Sequence, residues 1–324
     1  MRSSRSPLRR APRGRLVLAG AAVSALALLC TACSSSASGS GGGGSDAASS
    51  KIVAVGAENE YADVLSQIGG QYVAVSAVMS NPNTDPHTFE ASPQVASEVS
   101  QAKLLVQNGV GYDDFMSQIE KASGNSGQKV IDVQNLLGLP DSTPNPHLWY
   151  KPTTMPAVAS AIAADLESID PAHKDYYAAN LAAFQSSLAA DDSAIASLKA
   201  KYGGTAVATT EPVADYLLQA AGFDNLTPWD FQAAIMNGTD PSPQDVATQQ
   251  ALFDEHKVKV FVYNQQVTDS LTQSLLTLAH KDGIPVVGVY ETMPTPGYDY
   301  QKWMLAECGA LANAVGSGRS APTL

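Results

Sequence analysis

The sequence predicts an α/β fold of two pseudo-symmetric lobes with mainly parallel sheets, joined by one long backbone helix. Short runs rich in β-branched residues alternate with helical stretches after residue 50, and this alternation is typical of parallel α/β sheets. Four of the seven predicted strands precede residue 134 and three follow residue 204, which favours two sheets over one. A helical apolar pattern fills the interval between the two groups of strands.

The first 33 residues predict an export signal. Six arginines lie among the first 15 residues, an apolar run of 14 residues follows at 16–29, and Cys33 comes after Thr31 and Ala32. The apolar run is shorter than the roughly 18 residues that a spanning helix needs. The segment resembles a bacterial lipobox, in which the cysteine becomes the lipidated first residue, although Cys30 stands where leucine is usual. We expect lipidation at Cys33, with ordinary cleavage at a small-residue site as the alternative.

Residues 34–50 predict a flexible linker. They consist of serine, glycine and alanine with a single charged residue, Asp46. Such a composition stays coiled and can hold a domain away from a surface. We therefore expect the protein outside the cytoplasm, at the cell surface, anchored to the cell membrane through the lipid on Cys33.

The remainder is divided into an N-terminal α/β lobe at 51–170, a connecting helix at 171–202 and a C-terminal α/β lobe at 203–324. The motif Ser-Pro-Gln occurs at 92–94 and again at 242–244. In each lobe it is expected to begin a helix that leads into a strand, which supports two related lobes. Strands are predicted at 51–57, 72–79, 103–107, 129–133, 205–210, 258–263 and 285–290.

The connecting helix is predicted from a single apolar stripe. Glycines at 203 and 204 end it, and about 30 helical residues span roughly 46 Å, enough to contact both lobes. Asp191 fills the one gap in the stripe and is expected to be a solvated break in it. The apolar positions recur in alternating steps of four and three: Tyr177, Leu181, Phe184, Leu188, Ile195, Leu198 and Tyr202.

The composition excludes some functions. The formal net charge is −12 at pH 7, which argues against binding to nucleic acid because phosphates require a basic face. Hydrophobic residues make up 44% of the chain, enough for a sizeable core. Three cysteines are too few for a disulfide scaffold, and Cys308 is expected to be a buried apolar residue.

Two of the five histidines share a local sequence. Asp85-Pro86-His87 and Asn145-Pro146-His147 each place a proline before the histidine and an aromatic residue two positions after it. Proline restricts the backbone, so the ring is presented rigidly, as a metal ligand requires. Each histidine alone is as well explained as a turn residue, but the pair, each following a predicted strand, favours a metal site.

Two carboxylates follow predicted strands of the C-terminal lobe. Glu211 comes directly after the strand at 205–210, and Glu291 directly after the strand at 285–290. Ligands of open parallel sheets bind at the carboxyl ends of the strands. Either acid alone could equally cap a helix, but with two neutral imidazoles they would balance a divalent ion. The hypothesis places the ion in a cleft between the lobes.

The order of these motifs resembles the solute-binding proteins of zinc and manganese ABC importers. The resemblance extends from about residue 51 to the C-terminus. It implies that one divalent transition metal ion, Mn²⁺ or Zn²⁺, is bound between the lobes as transported ligand. The implied ligands are His87, His147, Glu211 and Glu291.

Two departures from this family bear on the metal. Glu291 stands where aspartate is common, and the segment between the first two histidines has no histidine-rich loop. The missing loop leans towards manganese, as does Glu211, because the resembling proteins often have histidine at that ligand position when they bind zinc and glutamate when they bind manganese. The intrinsic affinity order nevertheless favours zinc.

The resemblance further implies a monomer, without enzymatic activity, that delivers its metal to an ABC permease. Two alternatives remain open. An extracellular metallohydrolase would use the same donors with one position open for water, although no His-Glu-x-x-His or Gly-x-Ser-x-Gly motif is present. A surface adhesin would use the metal only structurally. For any metal site built on these histidines, affinity should fall as the pH drops through about 6 to 7.

Overall fold

The structure is a computed structural model that describes residues 51–324. The predicted export signal, the lipidation site at Cys33 and the linker at 34–50 lie outside the described residues. Within residues 51–324, no helix combines the length and the apolar character needed to cross a membrane.

In the described part of the chain, eight strands form two four-stranded sheets, and every pairing within them is parallel. The strand order is β2-β1-β3-β4 in the N-terminal sheet and β6-β5-β7-β8 in the C-terminal sheet, so both lobes have the same order. All seven predicted strands are confirmed to within two residues. The additional strand, β6, has only two residues, too few to produce a sequence pattern. The strands are β1 Ile52–Glu58, β2 Val73–Met79, β3 Leu104–Gln107, β4 Lys129–Asp132, β5 Ala206–Thr209, β6 Asp224–Asn225, β7 Val260–Asn264 and β8 Val286–Val289.

Helices connect the strands. The two Ser-Pro-Gln motifs begin equivalent helices, because the Ser92 and Ser242 hydroxyls each accept a hydrogen bond from a backbone N–H in the first turn. These helices, α2 and α10, lead to the central strands β3 and β7. The helices are α1 Asn59–Gly69, α2 Pro93–Gln101, α3 Asp114–Ser123, α4 Val133–Leu136, α5 Thr154–Ile169, α6 Lys174–Ser187, α7 Ala189–Tyr202, α8 Asp215–Ala220, α9 Trp229–Met236, α10 Pro243–Asp254, α11 Ser270–Lys281 and α12 Tyr300–Ser317.

The connecting segment consists of two consecutive helices, α6 and α7, which meet at Leu188. The backbone of Leu188 stays in the right-handed helical region, with φ −70° and ψ −13°. The Ser186 and Ser187 hydroxyls donate to the carbonyls of Ala182 and Phe184, and such bonds compete with the helical pattern. Helix α6 packs on α1 and α5 of the N-terminal lobe, while α7 packs on α8 and α12 of the C-terminal lobe. The segment therefore contacts both lobes, as expected.

Asp191 is not a solvated break in the apolar stripe, so that prediction was wrong. Its side chain is 6% exposed and lies beside Leu217, Tyr300 and Met304. Neither carboxylate oxygen has a hydrogen-bond partner. Burial, with the charges of Asp192 and Asp299, raises the pKa of Asp191 to about 7. The spacing of apolar residues in the connecting segment cannot reveal the burial of Asp191, because the residue is covered by helix α12, which lies far away in the sequence.

Replacing Asp191 with asparagine is expected to stabilise the protein by about 1–3 kcal/mol at pH 8. The raised pKa means that folding favours the protonated acid, so stability is lost as the pH rises towards and through 7. The gain should therefore be larger at pH 8 than at pH 5, as measured by thermal unfolding. Asp192→Asn removes the same charge from an exposed position and is the control; an equal gain there would contradict burial as the cause.

Candidate metal centre

His87 lies in the short 3-10 turn Pro86–Thr88, in the loop that follows β2. The Asp85 side chain accepts a hydrogen bond from the His87 backbone N–H at 2.8 Å, and Pro86 occupies the first position of the turn. The histidine side chain is 25% exposed. The Asp-Pro pair thus holds this histidine in place at the rim of the site.

His147 has the same local support but is completely buried. The Asn145 side-chain oxygen accepts from the backbone N–H of His147 at 3.0 Å and lies 2.8 Å from its Nδ1. The Asn145 amide nitrogen donates to the carbonyl of Pro212, so the oxygen must face the ring. Nδ1 therefore carries the proton, and the lone pair of Nε2 points into the site.

The structure brings His87, His147 and Glu291 together and places Glu211 beside His87. Glu291 Oε2 lies 3.2 Å from His87 Nε2 and 3.3 Å from His147 Nε2, while Glu211 Oε2 lies 3.9 Å from His87 Nε2. Both glutamate side chains are completely buried. Four donors held about 2.1 Å from a tetrahedral ion lie about 3.4 Å from one another. The donor atoms of His87, His147 and Glu291 all lie within 4.8 Å of one another, a spacing compatible with a single small cation.

Asn264 lies between the two carboxylates, at the end of β7. Its amide nitrogen donates to Glu211 Oε1 at 3.0 Å and to Glu291 Oε1 at 2.7 Å. The other oxygen of Glu211, Oε2, is buried and has no hydrogen-bond partner. A buried anionic oxygen without a partner is costly, so this atom fits the role of a ligand to a cation.

Tyr112 covers the site from the N-terminal lobe. Its hydroxyl donates to Glu291 Oε2 at 3.0 Å, and its ring packs edge-on against His87 and His147. The loop before it is strained, because Val110 is β-branched and has a φ of 56°. A hydrogen bond from the Val110 N–H to the Gln134 side chain holds this conformation.

Hydrogen bonds also join the two lobes around the site. The Asn59 side chain both donates to the carbonyl and accepts from the N–H of Met293. The Gln266 side chain donates to the carbonyl of Thr84, in the loop that carries His87, and accepts from the backbone N–H of Glu291. One C-terminal side chain thus ties together the backbone segments that carry two of the four candidate ligands.

The ionisation states of the four groups depend on each other. Burial raises the pKa of Glu291, but the His147 and His87 imidazoles beside its Oε2 outweigh this and hold the pKa well below its usual range. Burial lowers the pKa of His87, yet the hydrogen bond and charge of Glu291, with the charges of Glu211 and Asp85, raise it to about 9. The site without metal therefore keeps a proton on His87 at neutral pH. The pKa of this histidine lies above the range of about 6 to 7 that the sequence alone predicts.

The pKa of His147 shifts in the opposite direction to that of His87, and the pKa of Glu211 in the opposite direction to that of Glu291. Burial lowers the pKa of His147 more than Glu291 raises it. Burial, followed by the negative charge of Glu291, raises the pKa of Glu211 well above its usual value. His147 is therefore neutral and can offer a lone pair to a metal ion. A cation near Glu211 would stabilise its ionised form, which burial and the charge of Glu291 disfavour.

Sequence reasoning missed three side chains that contact the candidate ligands: Asn264, Tyr112 and Gln266. A signal existed for Asn264, which ends the central strand β7 in the same way that Glu211 and Glu291 follow β5 and β8. No comparable signal pointed to Tyr112 or Gln266, because each acts across the cleft on the opposite lobe.

Comparisons with known proteins agree with this architecture. The family model described as ZnuA, zinc-uptake complex component A periplasmic, matches residues 55–314. The metal ABC transporter substrate-binding lipoprotein FimA of Streptococcus parasanguinis is 25% identical over 262 residues, covering 74% of this chain and 79% of FimA. The manganese ABC transporter substrate-binding lipoprotein PsaA of Streptococcus pneumoniae is 24% identical over 260 residues, with the same coverage.

Solved structures share the fold. A crystal structure of ZnuA superposes with a TM-score of 0.67 at 23% identity, over 82% of this chain and 99% of that one. The periplasmic zinc-binding protein TroA of Treponema pallidum gives a TM-score of 0.70 at 17% identity, with the same coverage. Because the family model matches most of this chain, the chain belongs to the ZnuA family, whose model is described as zinc-uptake complex component A.

Proposed function

We propose that this protein captures a divalent transition metal ion outside the cytoplasm and delivers it to an ABC permease. The convergence of His87 and His147 from one lobe with Glu291 from the other supports this function most directly. Both imidazole Nε2 atoms lie within 3.3 Å of one oxygen of Glu291, an arrangement suited to a shared cation.

The proposed ligands are His87 and His147 from the N-terminal lobe and Glu211 and Glu291 from the C-terminal lobe. Two carboxylates and two neutral imidazoles balance the charge of a divalent ion. His147 offers its Nε2 because Asn145 holds the proton on Nδ1. His87 must lose its proton as the ion binds, since its pKa in the metal-free site is about 9.

The metal is cargo, and the residues around it suit a reversible site. His87 is the most exposed of the four ligands, which makes its loop the side from which an ion enters and leaves. Protonation of His87 competes with the ion for the same nitrogen, so a local rise in acidity favours release.

The export signal and linker complete the proposal. We infer that the mature chain begins at lipidated Cys33 and that residues 34–50 tether the two lobes to the outer face of the cell membrane. The relatives FimA and PsaA are named as substrate-binding lipoproteins of ABC transporters, which supports both the anchor and the permease partner. Binding and release, without catalysis, account for the whole proposed activity.

The protein without its leader should bind about one equivalent of metal, and His147→Ala should weaken this binding at least a hundredfold, since it removes a buried ligand. Competitive titration with zinc and manganese, with elemental analysis of the purified protein, measures both. His280→Ala, an exposed histidine at the end of α11, is the control and should bind as wild type does.

Two outcomes would contradict the proposal. Unfolding on removal of the metal, seen by circular dichroism, would indicate a structural metal instead of cargo. Hydrolysis of ester or phosphate substrates that requires zinc and is lost in His147→Ala would indicate a metallohydrolase.

A further inference from the structure

The strand order and register of the two sheets make Glu58 the counterpart of the candidate ligand Glu211. Each glutamate lies two residues beyond the last aligned pair that its strand forms with the central strand of the sheet. In the same register, Asn108, which follows β3, is the counterpart of Asn264 at the end of β7. The two lobes therefore carry the same pair of residues, glutamate and asparagine, at equivalent strand ends.

The two asparagines bind different groups. Asn264 donates both amide protons to the glutamates of the metal site, whereas Asn108 donates its amide protons to the carbonyls of Gly109 and Pro146. Glu58 is 2% exposed, and within residues 51–324 neither of its carboxyl oxygens accepts a hydrogen bond from an N–H or O–H group. An ionised carboxylate without such donors is costly in a buried position, so Glu58 is better placed as a neutral acid.

The Asp113 carboxyl lies within hydrogen-bonding reach of Glu58. Asp113 is also 2% exposed, but its Oδ2 accepts from the Asn108 backbone N–H at 2.6 Å and its Oδ1 from the Gly109 N–H at 2.9 Å. Two carboxyl groups can bond to each other only when one of them carries a proton. Because Asp113 already accepts two hydrogen bonds and Glu58 accepts none, the proton belongs on Glu58.

The two N–H groups that Asp113 binds begin the turn that carries Tyr112. Residues 109–111 of this turn all have positive φ, and Val110, with a φ of 56°, is strained. Tyr112 ends the turn and covers the candidate metal site. The Asp113 carboxylate therefore holds a strained turn in place, and Glu58 is the side chain that contacts this carboxylate from β1.

We propose that Glu58 is a positioning residue, a neutral carboxylic acid that donates a hydrogen bond to Asp113 and thereby keeps Tyr112 over the metal site. The statement about the metal rests on the proposed function; the proton on Glu58 does not. The equivalent strand ends of the two lobes thus have different tasks: Glu211 is a proposed ligand of the ion, and Glu58 supports the turn that covers it.

The charges around the pair favour the same position for the proton. Burial and the charge of Asp113 raise the pKa of Glu58 well above its usual value. Burial also raises the pKa of Asp113, to about 7, although the N–H groups of Gly109 and Asn108 lower it. The other titratable groups that act on the pair within the described chain are acids or tyrosines: Glu60, Tyr61, Tyr112 and Asp132.

Infrared difference spectroscopy between wild type and Glu58→Gln tests the proton directly. At pH 7.5 and without metal, the wild-type spectrum should contain the C=O stretch of a neutral carboxylic acid that the variant lacks. Glutamine has the same shape and keeps an N–H donor for Asp113, so the variant should fold. The loss of an ionised carboxylate band instead would overturn the assignment of the proton to Glu58.

Hydrogen exchange of the backbone amides at 108–110, followed by NMR in metal-free protein, tests the role in positioning. Opening of the turn lets water reach Glu58, so its raised pKa makes the closed turn less stable as the pH rises. From pH 7.5 to pH 8.5, protection corrected for intrinsic exchange should fall by up to about tenfold in wild type. In Glu58→Gln it should stay constant, because glutamine has no proton to lose.

The matched control for hydrogen exchange is Glu307→Gln. This change removes another buried glutamate with a raised pKa, about 8, far from the turn in the sequence. It should keep the wild-type dependence of the 108–110 amides on pH. The same dependence in wild type and Glu58→Gln would overturn the proposal, as would its loss in Glu307→Gln.

The rate at which bound zinc is lost to an excess of chelator connects the turn with the metal site. Glu58→Leu fills the same space without a donor and should release zinc at least about tenfold faster, the effect of losing one hydrogen bond to a charged group. Glu58→Gln should restore the wild-type rate. Equal rates in all three proteins would overturn the role of Glu58 in holding Tyr112.

Failure of this inference and failure of the proposed function give different results. Wild type that binds no zinc or manganese would overturn the proposed function and the statement about metal release, while the infrared and exchange measurements would still decide the proton on Glu58. Wild type that binds metal, with no neutral acid band assigned to Glu58, would overturn this inference alone. If Glu58→Leu does not fold, the pH dependence of exchange in Glu58→Gln decides the role in positioning.

Discussion

Replacing Glu291 with glutamine is expected to abolish tight metal binding while both lobes stay folded. Glu291 Oε2 lies within 3.3 Å of both His87 Nε2 and His147 Nε2. Glutamine keeps the shape but removes the negative charge, so two imidazoles and one carboxylate face the ion. Affinity for zinc should fall by more than about a hundredfold, the largest loss usual for a residue that only supports a ligand.

The control for this variant is Glu307→Gln. Glu307 is a completely buried glutamate of the same lobe, and it accepts hydrogen bonds from Tyr150 and Trp303 outside the metal site. Titration of both variants with zinc separates the loss of a ligand from the loss of a buried acid. Wild-type affinity in Glu291→Gln would remove Glu291 from the ligand set.

Metal affinity is expected to rise steeply with pH, by about tenfold per unit between pH 6 and pH 8. Only a neutral imidazole binds the ion, and Glu291 and Glu211 raise the pKa of metal-free His87 to about 9. Below that pH each bound ion must displace a proton from His87, and above it the dependence should level off. The sequence alone places the fall in affinity at pH 6 to 7, so the structure moves the expected range upward.

Titration with zinc at pH 6, 7 and 8, corrected for zinc binding to the buffer, measures this dependence. Calorimetry in two buffers with different ionisation enthalpies counts the released protons directly, and about one per ion is expected at pH 7.5. His280→Ala removes an exposed histidine and should keep the full dependence. Equal affinities at pH 6 and pH 8 would exclude His87 as a ligand.

Local sequence patterns were sufficient for the parts of the protein that depend on nearby residues. The seven strands were predicted from runs of β-branched residues, and the equivalent helices from Ser-Pro-Gln motifs whose serines cap them. The local conformations around His87 and His147 could also be predicted, because the Asp85 and Asn145 side chains accept hydrogen bonds from backbone N–H groups only two residues away.

Other properties depend on residues that are far apart in the chain. Tyr112 and Glu291 are separated by 179 positions, and Asn59 and Met293 by 234, yet each pair is hydrogen bonded. The burial of Asp191 depends on α12, more than 100 residues later. No periodicity within either segment can encode such contacts.

The sequence by itself determined two parallel α/β lobes, a helical connection between them and four candidate ligands at strand ends or in rigid turns, because all of these follow from local backbone preferences and residue spacing. Only the tertiary structure decided the proton on His87, the neutral state of His147 and the hydrogen bonds that Asn264 donates to both carboxylates. The reason is physical: hydrogen bonding, burial and charge act between atoms a few ångströms apart, and only folding sets which atoms those are.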